Sequence, residues 1–237
     1  MALPSATLEG IKERLAAAKL TALQPLHNPA LPPRGVQGVG RDLARATDAT
    51  LHELWQACGL GPDWSLIAVG GYGRGQLAPH SDVDVLLINA QANPDHAAVE
   101  TFVQACWDVG LAIGSAVRTP LQTQEAAAED VTTLTALLEA RPLIDPSAQW
   151  PGLLQALREG LDRVAFFQAK VRELKQRHQR FDDTAYALEP NCKEAPGGLR
   201  DLHTLFWIGK YCYRVEEVGQ LVEQGVLSLG EARRFAK

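Results

Sequence analysis

The chain has 237 residues, 46% of them apolar and 22% charged, with a net charge of −5. This composition suits a globular chain with a buried core, excludes a fibrous or disordered one, and supplies no global basic field for nucleic acid. No apolar run approaches the roughly 18–20 residues that span a bilayer, and the start, MALPSATLEGIKERL, lacks the regions of a signal peptide. Cys58, Cys106, Cys192 and Cys212 are scattered without a CxxC, which predicts reduced core thiols in a cytoplasmic protein rather than a zinc site or disulfide framework.

In chain order, Leu8, Ile11, Leu15 and Leu20 predict an amphipathic helix over Leu8–Leu23. Pro25, Pro29, Pro32 and Pro33 break it, so 1–40 reads as a helix followed by a proline-rich arm. Leu43, Leu51, Leu54 and Trp55 predict a second helix over Gly40–Cys58, stopped by GLGPD. Leu66–Val69 reads as a short strand. Gly70, Gly71, Gly73 and Gly75 follow as a loop, which Pro79 and His80 close. Ser81–Ile88 reads as a second strand, polar at its start and apolar at its end. Ala90–Asp95 is a polar turn. Ala97–Val109 is a helix with Val99, Phe102, Val103 and Trp107 on one side. Leu111–Thr119 is a third strand ended by Pro120, Leu121–Ala140 a helix, and Arg141–Pro146 a break. These elements make 41–146 one mixed domain.

From 147 to 237 long helical patterns take over, at Leu153–Leu161, at Asp162–Phe181 and from Leu199 onward. The second helix holds Arg163, Lys170, Arg172, Lys175, Arg177, His178 and Arg180. These read as a solvated face; the sharper alternative turns a few of them toward a triphosphate. Trp55, Trp107 and Trp207 sit on apolar helix faces and read as core, and the six histidines form no ligand cluster.

The chemistry concentrates in Val69–Ile88. Side chains alternate along a strand, so Asp82 and Asp84 share one face while Val83 and Val85 face a core. Two close carboxylates repel unless a cation lies between them. An oxygen-only donor pair suits Mg²⁺, which takes one or two carboxylates plus substrate phosphates. Glycines upstream let a phosphate approach the backbone, whose successive N–H groups form an anion nest. The combination points to metal-assisted phosphoryl or nucleotidyl transfer. A P-loop is excluded because no Gly-Lys-Ser/Thr enters a helix, and a dinucleotide fold because the glycines do not make GxGxxG.

Val69-Gly70-Gly71 followed by Asp82-Val83-Asp84-Val85 resembles the signature of the DNA polymerase β-type nucleotidyltransferase superfamily. The fuller string, GGYGRGQLAPHSDVD, resembles the bacterial PII uridylyltransferases, the bifunctional uridylyltransferase/uridylyl-removing enzymes. A second string, Asn191 to Asp201 (NCKEAPGGLRD), resembles the N-x-K-E-x-P-G-G-L-R-D segment that follows the transferase core in that family. The resemblance runs from about Ala44 to the C-terminus. It implies an α+β fold, with a polymerase β-like nucleotidyltransferase core of small mixed sheet and flanking helices, followed by a helical domain. It implies Asp82 and Asp84 as the catalytic and Mg²⁺-binding pair. Gly70, Gly71, Arg74, Ser81, Lys193 and Arg200 are implied on the nucleotide. UTP is the implied substrate and a tyrosine of the PII signalling protein the acceptor, with no role for nucleic acid or membrane. Residue chemistry alone leaves Arg74 open between a phosphate, an aspartate partner and water. It also leaves the second string open between a phosphate site and a helix-entry turn.

The sequence departs from the family pattern in three ways. The chain is shorter than family members, which carry an HD-type hydrolase domain and ACT domains further on, so it reads as a fragment. The third strand, LAIGSAVRT, has Ala112 and Ser115 where the family pattern has glutamate and histidine, and Gln76 stands for a glutamate in the glycine loop. Two further readings therefore stand beside uridylyl transfer: another protein nucleotidyltransferase such as an adenylyltransferase, and a nucleotide- or PII-binding module without catalysis.

Overall fold

The computed structural model describes residues 3–91, 94–184, 189, 191–215 and 218–235. It forms two compact units, Met1–Glu159 and Gly160–Lys237. Among the described residues no helix is long and apolar enough to cross a membrane.

The first unit opens with helices α1 (Ser5–Leu23) and α2 (Pro33–Cys58). Helix α2 begins earlier than its apolar spacing predicts. Pro33 occupies the first turn, where the missing N–H costs nothing. It ends at Gly59, which takes the left-handed conformation common after a helix. Strands β1 (Trp64–Ala68), β2 (Val83–Asn89), β3 (Ile113–Arg118) and β4 (Arg141–Ile144) form a mixed sheet in the order β3-β2-β1-β4. Strand β1 is antiparallel to both β2 and β4, and β2 is parallel to β3.

The sheet is covered on both faces, so β1 is buried throughout and reads as a continuous apolar run. Leu66, Ala68, Val83, Val85 and Leu87 pack in one cluster with α1, α2 and α4 (Ala97–Asp108). Ile67, Leu86 and Ile88 pack in another with Trp150, Leu153 and Leu157 of α7 (Gln149–Glu159). Asp145 holds the start of α7 by accepting from Ser65 Oγ at 2.6 Å and from the Gln149 and Trp150 N–H groups at 3.0 Å each. Helices α1 and α7, read outside 41–146 in the sequence, thus both contribute to the cores of this unit.

Several expectations change. The helix expected over Leu121–Ala140 is two helices, α5 (Pro120–Glu129) and α6 (Val131–Leu138). Asp130 between them has extended backbone, and its side chain caps α6 by accepting from the Thr132 and Thr133 N–H groups. The break expected at Arg141–Pro146 holds β4. Its Pro142 is tolerated because β4 is an edge strand. The glycine loop contains a turn of helix, α3 (Gly70–Gly73). Trp107 is 53% exposed rather than core, and Cys192 is exposed rather than a core thiol. Part of the expected turn at Ala90–Asp95 lies outside the described residues.

The second unit is helical: α8 (Arg163–Gln179), α9 (Leu199–Cys212), α10 (Val218–Glu223) and α11 (Leu229–Phe235). Asp162 caps α8 through the Val164 and Ala165 N–H groups. Helices α8 and α9 pack through Phe166 and Tyr211, whose rings meet edge to face at 5.5 Å. The basic face of α8 is not uniformly solvated as expected. Lys170 is 1% exposed, bonds Glu173 at 2.7 Å and lies 4.4 Å over the Trp207 ring. Arg177 is also buried. Both cations are kept in the interior by partners, as burial of a charge requires.

Candidate active site

Burial alternates as expected over 82–85. Val83 and Val85 are buried, while Asp82 and Asp84 are exposed at the start of β2. The N–H of Val69 donates to the main-chain oxygen of Asp84 at 3.0 Å, which ties the end of β1 to the aspartate strand. Helix α3 starts directly after Val69. Its internal bonding begins with the Gly73 N–H, which donates to Val69 O at 3.0 Å. The Gly70 and Gly71 N–H groups precede the first bonded donor of this single turn, and Gly70 lies beside the Asp84 carboxylate. Ser81 lies in the connecting loop, where its Oγ accepts from the Ala78 N–H at 3.2 Å.

Two glycines frame Asp84. A Cβ on Gly70 would lie 3.7 Å from Asp84 Oδ2, and one on Gly114 would lie 2.7 Å from Asp84 Oδ1. Gly114 is the register partner of Asp84 on the parallel strand β3. Ala112 precedes it, and its carbonyl accepts the Val83 N–H at 2.8 Å. The side of β3 next to the aspartates therefore carries no third carboxylate at Ala112 or Gly114. Among the described residues no group of three or more His, Cys, Asp or Glu is placed to hold a metal. An oxygen pair flanked by bare backbone nonetheless fits Mg²⁺, which completes its shell with water and substrate phosphates.

The glycine turn is anchored from below by a polar network that the sequence did not disclose. Tyr72 of α3 is 1% exposed, and its hydroxyl donates to Asp48 of α2. Arg141 of β4 donates to the same carboxylate through two nitrogens, at 3.0 and 3.1 Å. Burial, then the hydrogen bond to Asp48 and its charge, push the Tyr72 phenol well above its usual range. Arg74, next in the loop, forms an ion pair with Glu139, whose side chain is 2% exposed. Arg74 thus pairs with a carboxylate, but with the glutamate at 139 rather than with an aspartate as one of its expected roles had it. The sequence signal for Gly114 was its place inside a strand pattern, which marks a bulge or a close approach. Nothing local marked Asp48, Glu139 or Arg141.

Lys193 and Arg200 lie in the second unit. Their motif follows a stretch, LEP at 188–190, of which Leu188 and Pro190 fall outside the described residues. Asn191 Oδ1 accepts from the Lys193 and Glu194 N–H groups at 3.0 and 2.9 Å, and the Lys193 side chain is exposed. Arg200 reaches Glu194 Oε1 at 3.3 Å and sits 5.6 Å from the Trp207 ring centre. Asp201 accepts from Arg177 at 2.6 Å and from the Gly197 N–H at 2.7 Å, and pairs with His178 at 2.9 Å. Burial alone would raise the Asp201 pKa. The hydrogen bonds from His178, Gly197 and Arg177 outweigh it and hold the carboxyl below its usual range.

Residues 165–237 match the family model described as GlnD PII-uridylyltransferase. The chain is also 48% identical over 197 residues to the bifunctional uridylyltransferase/uridylyl-removing enzymes of Burkholderia mallei (strain SAVP1), Burkholderia pseudomallei (strain K96243) and Burkholderia thailandensis. The aligned part covers 82% of this chain and 23% of each relative, so the chain spans about a quarter of the length of the curated relatives it matches. Over most of its length the chain is therefore similar to the PII-uridylyltransferases.

Proposed function

We propose that the first unit is a polymerase β-like nucleotidyltransferase core that transfers UMP from UTP to a tyrosine hydroxyl of the PII protein. The observation that carries this reading is the seating of the Asp84 carboxylate between Gly70 and Gly114, with Asp82 two positions earlier on the same exposed face. Asp82 and Asp84 would hold Mg²⁺, which supplies charge neutralisation on the phosphates and acidifies an acceptor hydroxyl. The N-terminal backbone of α3, at Gly70 and Gly71, orients the triphosphate through its N–H groups. Ser81 lies within the same loop and adds a hydroxyl donor. The acceptor hydroxyl releases its proton to solvent, its oxygen bonds to the α-phosphorus as the bond to the β-phosphate oxygen breaks, and pyrophosphate leaves. The Arg74–Glu139 ion pair keeps the loop between α3 and β2 in place. The names of the relatives support a uridylyl donor and, through the family description, a PII acceptor.

A second reading, binding of nucleotide or PII without turnover, rests on Ala112, which brings no carboxylate to the strand beside Asp82. Incubation of the chain with PII protein, Mg²⁺ and each nucleoside triphosphate in turn, read by intact mass of PII, separates the readings. A uridylyl mass increase that Asp82→Asn and Asp84→Asn each reduce by at least about 100-fold, with the fold retained, supports transfer. Mg·UTP binding without any mass increase supports the binding module. An adenylyl increase in place of a uridylyl one overturns the choice of donor.

A further inference from the structure

Strand β3 carries a glycine where strands favour branched or aromatic side chains, and a strand glycine weakens the element that holds it. The ordinary reasons for one do not apply to Gly114. Its φ is not in the left-handed region. No bulge occurs, since the β2–β3 register runs unbroken from Val83↔Ile113 to Ile88↔Arg118. No neighbouring element crowds it. Among the described residues, the only atoms that a Cβ on Gly114 would meet within 4 Å are Asp84 Oδ1, at 2.7 Å, and Asp84 Cγ, at 3.8 Å. Among the described residues, the one nearby atom for a Cβ on Gly70, at 3.7 Å, is Asp84 Oδ2.

We propose that Gly114 is a positioning residue for Asp84: its missing side chain is the space that the carboxylate occupies, and this fixes Asp84 beside Asp82 for a phosphate-bound divalent cation. The cation in that statement rests on the proposed transferase reading; the seating of the carboxylate does not. Other glycines of the chain show why the effect is confined to one side chain. A Cβ on Gly73 or Gly198 would run into main-chain carbonyl oxygens at 2.7 and 2.8 Å, which move only with the backbone. A Cβ on Gly114 meets the far end of a side chain rather than main chain. Carbon–oxygen contacts settle at about 3.3 Å or more, so an alanine displaces Oδ1 by about 0.6 Å. Reactive groups work within about 0.5 Å of their productive position.

The test uses Gly114→Ala in the full chain, with Ser115→Ala as control; Ser115 is exposed on the same strand and pairs in register with Val85. Carboxyl ¹³C signals of Asp82 and Asp84, assigned through their Asn variants, report carboxylate placement with no metal or substrate added. The expected result is a shifted Asp84 signal in Gly114→Ala and an unshifted one in Ser115→Ala. The thermal midpoint should stay within about 3 °C, because replacing glycine also restricts the unfolded chain. Titration with Mn²⁺ should then show at least a ~10-fold loss of affinity in Gly114→Ala. An Asp84 signal identical to wild type overturns the inference. A shifted signal with no Mn²⁺ response in the wild-type chain upholds the seating by Gly114 and sinks the metal reading. If Gly114→Ala unfolds, it is combined with Asp84→Ala, which removes the only atoms that the new Cβ meets. Recovery of the fold supports the inference, and failure to recover overturns it.

Discussion

Tyr72→Phe isolates one bond in the network under the glycine turn. Phenylalanine keeps the buried ring and its stacking against Arg141, whose guanidinium carbon lies 5.7 Å from the ring centre. It removes only the hydroxyl that donates to Asp48. A hydrogen bond to a charged group contributes about 1.5–3 kcal/mol. Asp48 is 24% exposed and keeps both bonds from Arg141, so water can take the vacated lone pair and the loss falls to about 1–2 kcal/mol. For a unit of this size that lowers Tm by about 2–8 °C. The pH dependence follows from the raised phenol pKa. The folded state keeps a proton that the unfolded chain releases near pH 10, so this contribution is complete below about pH 10 and is lost as pH rises above it. The gap between wild type and Tyr72→Phe therefore narrows in alkali. Denaturant unfolding followed by tryptophan fluorescence reports on this unit, because Trp55, Trp64, Trp107 and Trp150 all lie in it. Coincident midpoints at pH 7, or a gap that widens above pH 10, would refute the reasoning.

Two further substitutions test the scaffold. Gly73→Ala places a Cβ 2.7 Å from Glu139 O, 3.0 Å from Ala68 O and 3.2 Å from Ala140 Cα; urea unfolding should show a loss of about 1–3 kcal/mol or more, and an unchanged midpoint would contradict the packing described. Asp201→Asn should destabilise the α8–α9 pair by about 1–3 kcal/mol at pH 7, measured as faster amide exchange over Leu199–Cys212. Because the native Asp201 carboxyl is held below its usual range, its contribution is present above the unfolded value near pH 3.9 and is lost as pH falls through the lower, folded value. The wild-type pair should therefore lose this protection on acidification below about pH 4 while the Asn variant shows no such step.

The parts of the site legible in the sequence were those with a local period. Asp82 and Asp84 alternate with Val83 and Val85, and that alone set which side chains face water. The same logic misplaced Trp107. The buried face of α4 is drawn by Val99, Phe102, Ala105 and Cys106, and the residue after Cys106 turns off it. Strand β4 was hidden by its shortness and by Pro142. Its pairing is set by β1 across an irregularity between Leu66 and Ile67, which no local pattern encodes. The turn of helix in the glycine string follows from Gly73 and Arg74 reaching back to Val69 and Gly70, against glycine's poor helix propensity. Asp48, Tyr72 and Arg141 come together across 24 and 93 positions, a separation at which only the assembled sheet brings partners into register.

The second motif shows what the same kind of reading leaves open. On spacing alone, NCKEAPGGLRD served equally as a phosphate site or as the entry to a helix. The geometry gives the entry role a full set of contacts. Gly198 admits no side chain, because a Cβ there would meet the carbonyl oxygens of Cys192, Ala195 and Lys193 at 2.8, 2.9 and 3.0 Å. Asp201 binds α8 through Arg177 and His178 and closes the turn through the Gly197 N–H. The two basic residues of the motif then stand differently toward an anion. A phosphate at Arg200 competes with Glu194, which already shares that guanidinium's charge. A phosphate at Lys193 meets an exposed ammonium on a turn that Asn191 has already set. Of the two, Lys193 would therefore be the more available to an anion, while Asn191 holds its turn in shape.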